Sequence, residues 1–199
     1  MSLKKQSHFQ ILSPPKHTRA KKRGTRTCLL AAAKHAKEVS FAAPDPAQVE
    51  RAEQEALAPF QRQTGESPYA IHRDLQEVMQ NLVGIYRNRE DVQRALGELE
   101  KFKQRLSLAS VEGTRMFNPG WHLALEMKAM LTVAEAVAKS ALVREESRGA
   151  HSRIDFPELD PTWGTKNNVI WKDGDSMALR QNPTPELPPE LKQILAEDK

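Results

Sequence analysis

Four segments in the middle of the chain repeat their apolar residues at intervals of three and four, and clear helix-start signals precede them. The first segment follows the proline-containing break at residues 44–46 and covers about residues 47–60. The second opens at Ser67-Pro68, the third at Asn88 and the fourth at Asn118-Pro119. Serine and asparagine favour the N-cap position, and proline at the first helical position loses no helical hydrogen bond. The pattern therefore predicts four amphipathic helices.

The apolar stripe of each predicted helix is wide enough to be buried against neighbouring helices. Short connections between long amphipathic helices favour antiparallel neighbours. We therefore expect an all-α fold. Residues 46–150 should form an up-and-down bundle of three to four helices, with an architecture like that of a spectrin repeat. The fourth helix would be the longest helix of the bundle, with about 30 residues and a length of about 40 Å. The stripe residues are Val49, Ala52, Ala56 and Phe60; Ile71, Leu75, Val78, Met79, Leu82 and Ile85; Val92, Leu96, Leu99, Phe102 and Leu106; and Leu123, Met127, Met130, Leu131, Ala134, Val137, Ala138, Ala141 and Leu142.

The two flanks of the bundle are predicted to be less regular. Residues 1–45 form a basic, largely disordered arm with a short helix at Cys28–Ala33, because Met1 to Lys37 contains ten Lys or Arg and no acidic residue. Residues 151–199 lose the helical period and are expected to be extended or irregular. Trp163 and residues 169–171 favour at most a short hairpin, with Asp173-Gly174 as its turn. A small helix is expected over residues 189–196.

The basic arm has two interpretations. It could contact the phosphates of a nucleic acid or of an acidic membrane, or it could be a solvated tail or sequence foreign to the parent fold. No aromatic residue is interleaved with its cations for base stacking, which favours the tail. We therefore expect no nucleic-acid partner, and we keep a basic-armed nucleic-acid-binding helical protein as an alternative.

Several functional classes are disfavoured by residues that the sequence lacks. No apolar run approaches the ~20 residues that cross a bilayer. The single cysteine, Cys28, excludes an internal disulfide and a cysteine-based metal cluster. Glycine-rich phosphate loops and the HExxH, CxxC and GxSxG motifs are absent. The histidines are scattered, so we expect no metal site built from a histidine cluster; they include His35, His72, His122 and His151.

The end of the fourth predicted helix carries an unusual run of charged residues. Residues 144–157 read REESRGAHSRIDFP. Arg144 and Arg148 would lie at a helix C-terminus, where cations are favoured, and Gly149 could end the helix in the left-handed conformation. His151, Arg153 and Asp155 alternate in extended chain and would point the same way. From these residues alone, a solvated helix exit and a docking site for another polypeptide both stay open.

This run resembles the R-x-E-S-R-G-A-H-x-R-x-D-[FY]-P signature of the flavoprotein subunits of succinate dehydrogenases and fumarate reductases, of which related L-aspartate oxidases share a version. Residues 75–79 and 84–87 are similar to the family's L-Q-x-x-M and G-x-x-R. Asn118, residues 125–131 and the tryptophans Trp163 and Trp171 also have counterparts there. The resemblance covers about residues 47–173. It marks a set of signature positions, for which a packing or docking role is the hypothesis: Arg144, Glu146, Ser147, Arg148, Gly149, His151, Arg153 and Asp155.

The resemblance implies the helical carboxy-terminal part of an FAD-dependent oxidoreductase, packed against a flavin-binding domain or subunit and near an iron–sulfur subunit. The family's flavin-linking histidine, dinucleotide glycines and substrate-binding residues lie upstream of this part, and no position here matches them. The resemblance therefore implies no catalytic and no cofactor-binding residue in this chain. The resemblance therefore implies FAD for the complete enzyme, none in this chain, and no activity of this chain alone. It also implies a cytoplasmic location, or a peripheral one on the inner face of the membrane through partner subunits. A truncated, non-catalytic helical interaction protein is a further alternative.

Overall fold

The computed structural model describes residues 19–39 and 43–189 and Leu191, apart from the side chains of residues 19–27. Within these residues the chain is mostly helical, with five α-helices and four short to medium strands. The chain divides into two compact units, residues 1–49 and residues 50–199. The predicted all-α class is thus confirmed as a mostly helical fold, with a small strand component that the sequence did not predict in full.

The first unit contains helix α1, Arg19–Glu38. This helix is longer than the predicted short helix at Cys28–Ala33, because the Lys, Arg and Ala residues before and after that segment are strong helix formers. All of its described side chains are exposed. The remainder of the predicted basic arm, residues 1–18, lies outside the described residues, and so does most of the small helix predicted at 189–196.

The next four helices begin close to the predicted starts. They are α2, Pro46–Gln61; α3, Pro68–Leu82; α4, Arg89–Ser107; and α5, Pro119–Val143. The Asn88 side chain accepts a hydrogen bond from the Asp91 N–H at 2.8 Å, and the Asn118 side chain accepts one from the Trp121 N–H at 3.0 Å. Ser67 has the extended backbone of an N-cap, but its hydroxyl makes no capping hydrogen bond. Two of the three predicted side-chain caps are therefore formed.

Helix α5 ends earlier than the sequence predicted. It has 25 residues, a length of about 37 Å, and its C-cap is Arg144 in an extended conformation. Gly149 does adopt a left-handed φ of 57°, but it does so five residues beyond the C-cap, in a separate turn. The prediction that Gly149 terminates the helix was wrong, because other groups satisfy the last carbonyls of α5, as the site below shows.

The core lies between α3, α4 and α5, which contact one another. Small alanines on α5 allow the neighbouring helices to approach closely. Ile85 and Val137, which the stripes had assigned to the core, are exposed, since Ile85 lies beyond the end of α3 at Leu82 and Val137 lies at the edge of the α5 stripe. The buried core residues of the three helices are Ile71, Leu75, Leu82, Val92, Ala95, Leu99, Phe102, Met127, Leu131, Ala134 and Ala138.

Two pairs of strands lie outside the helices. Strand β1, Tyr86–Arg87, follows α3 and pairs in parallel with β2, Ser152–Arg153. Strands β3, Lys166–Asp173, and β4, Ser176–Pro183, form an antiparallel hairpin. β1 and β2 therefore join the charged segment after α5 to the connection between α3 and α4.

The β3–β4 hairpin confirms the predicted hairpin with its turn at Gly174, but it is longer than the short hairpin expected in a segment predicted to be extended or irregular. Each strand has eight residues, and Gly174, with φ 58°, is the first residue of the two-residue turn. The hairpin contacts α5 through hydrogen bonds from Lys139 Nζ to the Met177 carbonyl at 3.1 Å and from Asn168 Nδ2 to the Ser140 carbonyl at 3.2 Å. These tertiary contacts stabilise strands whose polar composition gives little local signal. Within residues 19–39 and 43–189, no helix combines the length and the apolar character that crossing a bilayer requires.

Two leucines of α5 test where the core lies. Leu131 is 2% exposed, whereas Leu125 on the same helix is 42% exposed. We predict that Leu131→Ala lowers the free energy of unfolding by about 2–5 kcal/mol, because it leaves a cavity among packed side chains. Leu125→Ala, the same substitution at the surface, should cost less than about 1 kcal/mol. Urea denaturation followed by circular dichroism measures both, and equal losses would contradict this core.

Candidate functional site

The candidate site is the signature loop, residues 144–160, which follows α5 and folds back over its C-terminus. The loop is joined to β1 and to the residue before it by hydrogen bonds from the Ile154 N–H to the Arg87 carbonyl at 2.9 Å and from the Ser152 N–H to the Ile85 carbonyl at 3.1 Å. Its own backbone is closed by the hydrogen bond from the Ser147 N–H to the Glu158 carbonyl at 2.9 Å. The loop is thus fixed at both ends.

Glu146 is the anionic centre of the loop and is fully buried. Its Oε1 accepts hydrogen bonds from Arg144 Nε at 2.8 Å and from Arg148 Nε at 3.0 Å. Its Oε2 accepts one from Arg148 Nη2 at 3.2 Å and one from the Asp160 N–H at 3.0 Å. A buried carboxylate is stable only when it is paired and hydrogen-bonded, and both conditions are met here.

The pKa of Glu146 reflects this environment. Burial alone would raise the pKa of the carboxyl above its ordinary 4.5, but hydrogen bonds from Arg148, Arg144 and the Asp160 N–H lower it, to about 2. Glu146 is therefore ionised at neutral pH, and its charge is balanced by two guanidinium groups.

Arg153 is the second buried charge, with no exposed surface. Its Nη1 donates to three carbonyl oxygens at the end of α5, those of Ala141 at 3.0 Å, Leu142 at 3.2 Å and Arg144 at 2.9 Å. The last carbonyls of a helix lack partners within the helix and carry partial negative charge. The Arg153 guanidinium satisfies them, which explains why α5 needs no glycine at its end.

Asp155 neutralises Arg153 from the other side. Its two oxygens accept from Arg153 Nε at 2.8 Å and Nη2 at 2.6 Å, in the bidentate geometry that favours arginine. Asp155 Oδ2 also accepts from the Arg89 N–H at 3.0 Å, at the start of α4. The hydrogen bonds from Arg153 lower the pKa of Asp155 to about 2. This pair therefore links the end of α5 to the start of α4.

Ser147, His151 and Gly149 shape the turn of the loop. The Ser147 hydroxyl accepts from the Arg153 N–H at 2.8 Å and lies 2.9 Å from the Phe156 carbonyl, to which it donates. His151 Nε2 lies 3.1 Å from the Arg144 carbonyl and donates to it, so Nε2 carries the ring proton. Burial lowers the pKa of His151, which favours the neutral ring. Gly149 takes the positive φ in the turn between Arg148 and His151.

The structure brings all the signature positions together in one loop. Alternation along an extended chain predicted that His151, Arg153 and Asp155 point the same way, and it left a solvated helix exit and a docking site open. His151 and Arg153 do both reach the Arg144 carbonyl, and Asp155 pairs with Arg153. The three side chains therefore converge on the end of α5, because its unsatisfied carbonyls attract the guanidinium of Arg153, and Glu146 is enclosed by arginines. The charges of these two residues are satisfied internally. A docking role for the exposed edge of the loop, around Gly149 and Ile154, stays a prediction.

Sequence reasoning did not predict the role of two further residues. Asp160 contributes its N–H to Glu146, and Trp163 lies beside the guanidinium of Arg144, with 5.7 Å between the guanidinium carbon and the ring centroid. The sequence predicted Trp163 only as part of a short hairpin and as a family counterpart. Neither role has a local sequence signal, because both contacts depend on how the loop closes.

A second concave surface lies at the other end of α5. It is an open groove lined mainly by apolar atoms, and Phe117, which is 93% exposed with a φ of 53°, stands at its rim. The predicted isolated histidines His72 and His122 both line it. Among residues 19–39 and 43–189, no three His, Cys, Asp or Glu side chains are grouped in a way that could hold a metal ion.

Low pH should lower the stability of the fold, because Glu146 and Asp155 become protonated. Both have a folded-state pKa lowered to about 2, from ordinary values of 4.5 and 3.8. Their stabilisation is present above about pH 5 and is lost as the pH falls from there towards 2, because the unfolded chain takes up protons first. We predict that the free energy of unfolding decreases over this window, measured by urea denaturation at a series of pH values.

In the Glu146→Gln variant, the free energy of unfolding should fall less between about pH 5 and pH 2 than in the wild type, because the variant has no carboxylate at residue 146 to protonate. At neutral pH it should cost about 3–5 kcal/mol, since two arginines lose their buried counter-charge. Glu126→Gln, an exposed position on α5, serves as the control and should change stability by less than about 0.5 kcal/mol. An unchanged acid response of Glu146→Gln would contradict the assigned role of Glu146.

Comparison with known proteins finds flavoprotein subunits of fumarate reductases and succinate dehydrogenases among the relatives of this chain. The chain is 35% identical over 114 residues to the fumarate reductase flavoprotein subunit of Mycobacterium tuberculosis, covering 57% of this chain and 20% of that protein. It is 36% identical over 110 residues to the succinate dehydrogenase flavoprotein subunit of Coxiella burnetii, covering 55% of this chain and 19% of that protein. The chain therefore spans about a fifth of the length of these curated relatives.

Solved structures with a similar fold include a protein of the same kind. The fold matches a chain of Mycobacterium smegmatis Sdh1 in complex with UQ1 with a TM-score of 0.76 and 39% identity, covering 83% of this chain and 29% of that chain. The model of the family described as "Fumarate reductase flavoprotein C-term" matches residues 72–190, which include the core helices α4 and α5, the signature loop and the β3–β4 hairpin. The resemblance inferred from residues 144–157 is thus confirmed, and the chain belongs to the family of carboxy-terminal domains of fumarate reductase flavoproteins.

Proposed function

We propose that this chain is the helical part of an FAD-dependent oxidoreductase of the succinate dehydrogenase and fumarate reductase type, and that it provides packing and subunit contacts. A flavin-binding domain or subunit would hold the FAD and carry out hydride transfer between the cofactor and the dicarboxylate. An iron–sulfur subunit would accept the electrons one at a time. The chain described here would present a rigid surface to the flavin-binding polypeptide.

The observation that carries this proposal is the rigid construction of the signature loop. Glu146 and Arg153 are fully buried, and their hydrogen bonds fix the loop on the end of α5. A surface that is already ordered loses little conformational entropy when a partner binds. The edge that the loop leaves exposed, at Gly149, Ala150 and Ile154, is therefore suited to docking.

The arrangement of the helices supports the same role. We infer that α3, α4 and α5 form the three-helix core of an up-and-down bundle, since the connections from Leu82 to Arg89 and from Ser107 to Pro119 are short relative to the helices. Such a bundle is a stiff support, and the signature loop and β1 lie together beside the end of α5. The loop can therefore hold its shape without a partner.

Purification of the tagged full chain from its source organism tests the proposal. We expect a second polypeptide to copurify, to contain a dinucleotide-binding G-x-G-x-x-G segment and to bring flavin absorbance with it. The chain purified alone from a heterologous host should show no flavin absorbance. Absence of any flavin-binding polypeptide from the native purification, or tight flavin binding by the isolated chain, would contradict the proposal.

Two glycines provide a matched pair of variants for the loop itself. Gly149 and Gly174 both have a positive φ, of 57° and 58°, and a Cβ at either would meet no atom within 4 Å. Valine at each position imposes a similar local strain, because β-branched residues are disfavoured at positive φ. We predict that Gly149→Val lowers the amount of copurified flavin and that Gly174→Val does not. Equal amounts from the two variants would exclude the loop from the contact.

A further inference from the structure

The side of α5 that faces away from the core is apolar. Its core residues lie on the opposite side of the helix. A row of exposed residues at intervals of four, which we call the outer face of α5, consists of Leu125, Ala129, Val133 and Val137. Val133 is 62% exposed and Val137 is 44% exposed. A surface helix ordinarily has a polar outer side, so an apolar one indicates that another surface covers it.

The charged side chains of this part of α5 lie in a different row and have partners within the chain. The last 16 residues of the helix contain three charged residues. Lys128 pairs with Glu55 of α2 at 2.9 Å, and Glu135 pairs with Lys103 of α4 at 2.8 Å and with Lys139 at 2.6 Å. The outer face therefore offers a partner apolar side chains and no unpaired charge of α5 beyond its first turns.

The apolar groove at the start of α5 continues the outer face. His122 and Glu126 line the groove, and Ala129 follows Glu126 by three residues, in the same band of the helix surface. The outer face and the groove together form one apolar strip along α5, with Phe117 at its amino-terminal end.

The loop before α5 holds Phe117 in an unfavourable position. Asn118 Nδ2 donates to the Glu112 and Thr114 carbonyls, both at 2.9 Å, while its Oδ1 caps α5. Phe117 is 93% exposed and has a left-handed φ of 53°, which costs a bulky residue about 1–3 kcal/mol. Nothing that the ring contacts in the chain offsets this cost, because the ring stands in solvent. A strained and exposed aromatic residue indicates a use outside the chain.

The chemistry of the strip and the family relation indicate what covers it. A nucleic acid or an anionic lipid surface would require cations, which the outer face lacks. An apolar surface of a protein fits, and exposed aromatic residues are enriched in protein interfaces. In the Sdh1 chain, the region that matches this fold is 29% of the polypeptide, so more than two thirds of that polypeptide lies outside the region. Under the function proposed above, the flavin-binding polypeptide corresponds to that remainder.

We propose that the outer face of α5 and Phe117 form the docking surface for an apolar, uncharged patch of the flavin-binding polypeptide. The proposal rests on the function proposed above and adds the place and the chemistry of the contact. Phe117 inserts between apolar side chains of the partner, Val133 and Val137 are buried against it, and the small Ala129 allows close approach. Because burial and not charge stabilises this contact, its dissociation constant should depend little on salt concentration.

Val133→Glu tests the outer face. Glutamate is a good helix former, so the melting temperature of the isolated full chain should change by less than about 2 °C. The dissociation constant for the flavin-binding polypeptide that copurifies with the wild type should rise at least about tenfold, because the variant buries an unpaired carboxylate in the contact. Val49→Glu is the matched control, since Val49 is a valine of α2 with 51% exposure, and it should leave both quantities unchanged.

Phe117→Asn tests the loop and separates binding from folding. Asparagine tolerates a left-handed φ better than phenylalanine, so the isolated variant should melt at the same temperature as the wild type or higher. Its dissociation constant for the same polypeptide should nevertheless rise at least about tenfold, because the aromatic ring is lost from the contact. A variant that folds at least as well but binds less tightly would support docking through Phe117.

The outcomes distinguish this proposal from the proposed function. If the wild-type chain does not bind a flavin-binding polypeptide, the proposed function fails. If it binds and both Val133→Glu and Phe117→Asn bind equally well, docking on α5 is overturned while the proposed function stands. A wild-type dimer in analytical ultracentrifugation that Val133→Glu dissociates would assign the strip to a second copy and overturn the proposal. A fall of more than about 5 °C in the melting temperature of Val133→Glu, with Val49→Glu unchanged, would show that the chain itself covers the strip and would also overturn it.

Discussion

The contact between the Arg153 guanidinium and the end of α5 is the interaction on which the site depends. A helix of this length ends with carbonyls that must find donors, and Arg153 supplies one nitrogen to three of them. The same guanidinium binds Asp155, which in turn receives the first N–H of α4. One buried cation therefore closes α5, fixes the signature loop and places β2 beside β1. Removal of this cation would release all three.

The helices were the part of the fold that the sequence predicted well, because their signals are local. Asn88 and Asn118 mark two starts, and the apolar spacing marks the faces that meet in the core. The end of α5 was misplaced at Gly149, since the group that terminates the helix, Arg153, comes from a segment that returns to it. The β3–β4 hairpin was underestimated for the same reason, because its contacts with α5 are not encoded in its own pattern.

The site shows the same division between local and tertiary information. Every signature residue identified from the motif lies in one loop, so its position was predictable. The shared direction of His151, Arg153 and Asp155 was also predictable from alternation, but the group that they face was not, because alternation carries no information on the attraction of a helix end for a cation. Glu146 and Arg153 are consequently internal, and each is paired with a charge of the same loop. The family relation places the chain among the carboxy-terminal domains of fumarate reductase flavoproteins. That the exposed edge of the loop contacts a partner is our proposal.

Hydrogen–deuterium exchange of the isolated full chain, resolved by residue, is the most direct test of the central claim that the loop is ordered by its own buried charges. The amides of Ser147, Arg148 and Ile154 donate to carbonyls at 2.8 to 2.9 Å. The account predicts that these amides exchange as slowly as those in the middle of α5, because they open only when the α5 end opens. Exchange at the rate of an unprotected chain, with α5 still protected, would show that the loop is not held by Arg153 and Glu146 and would contradict the account.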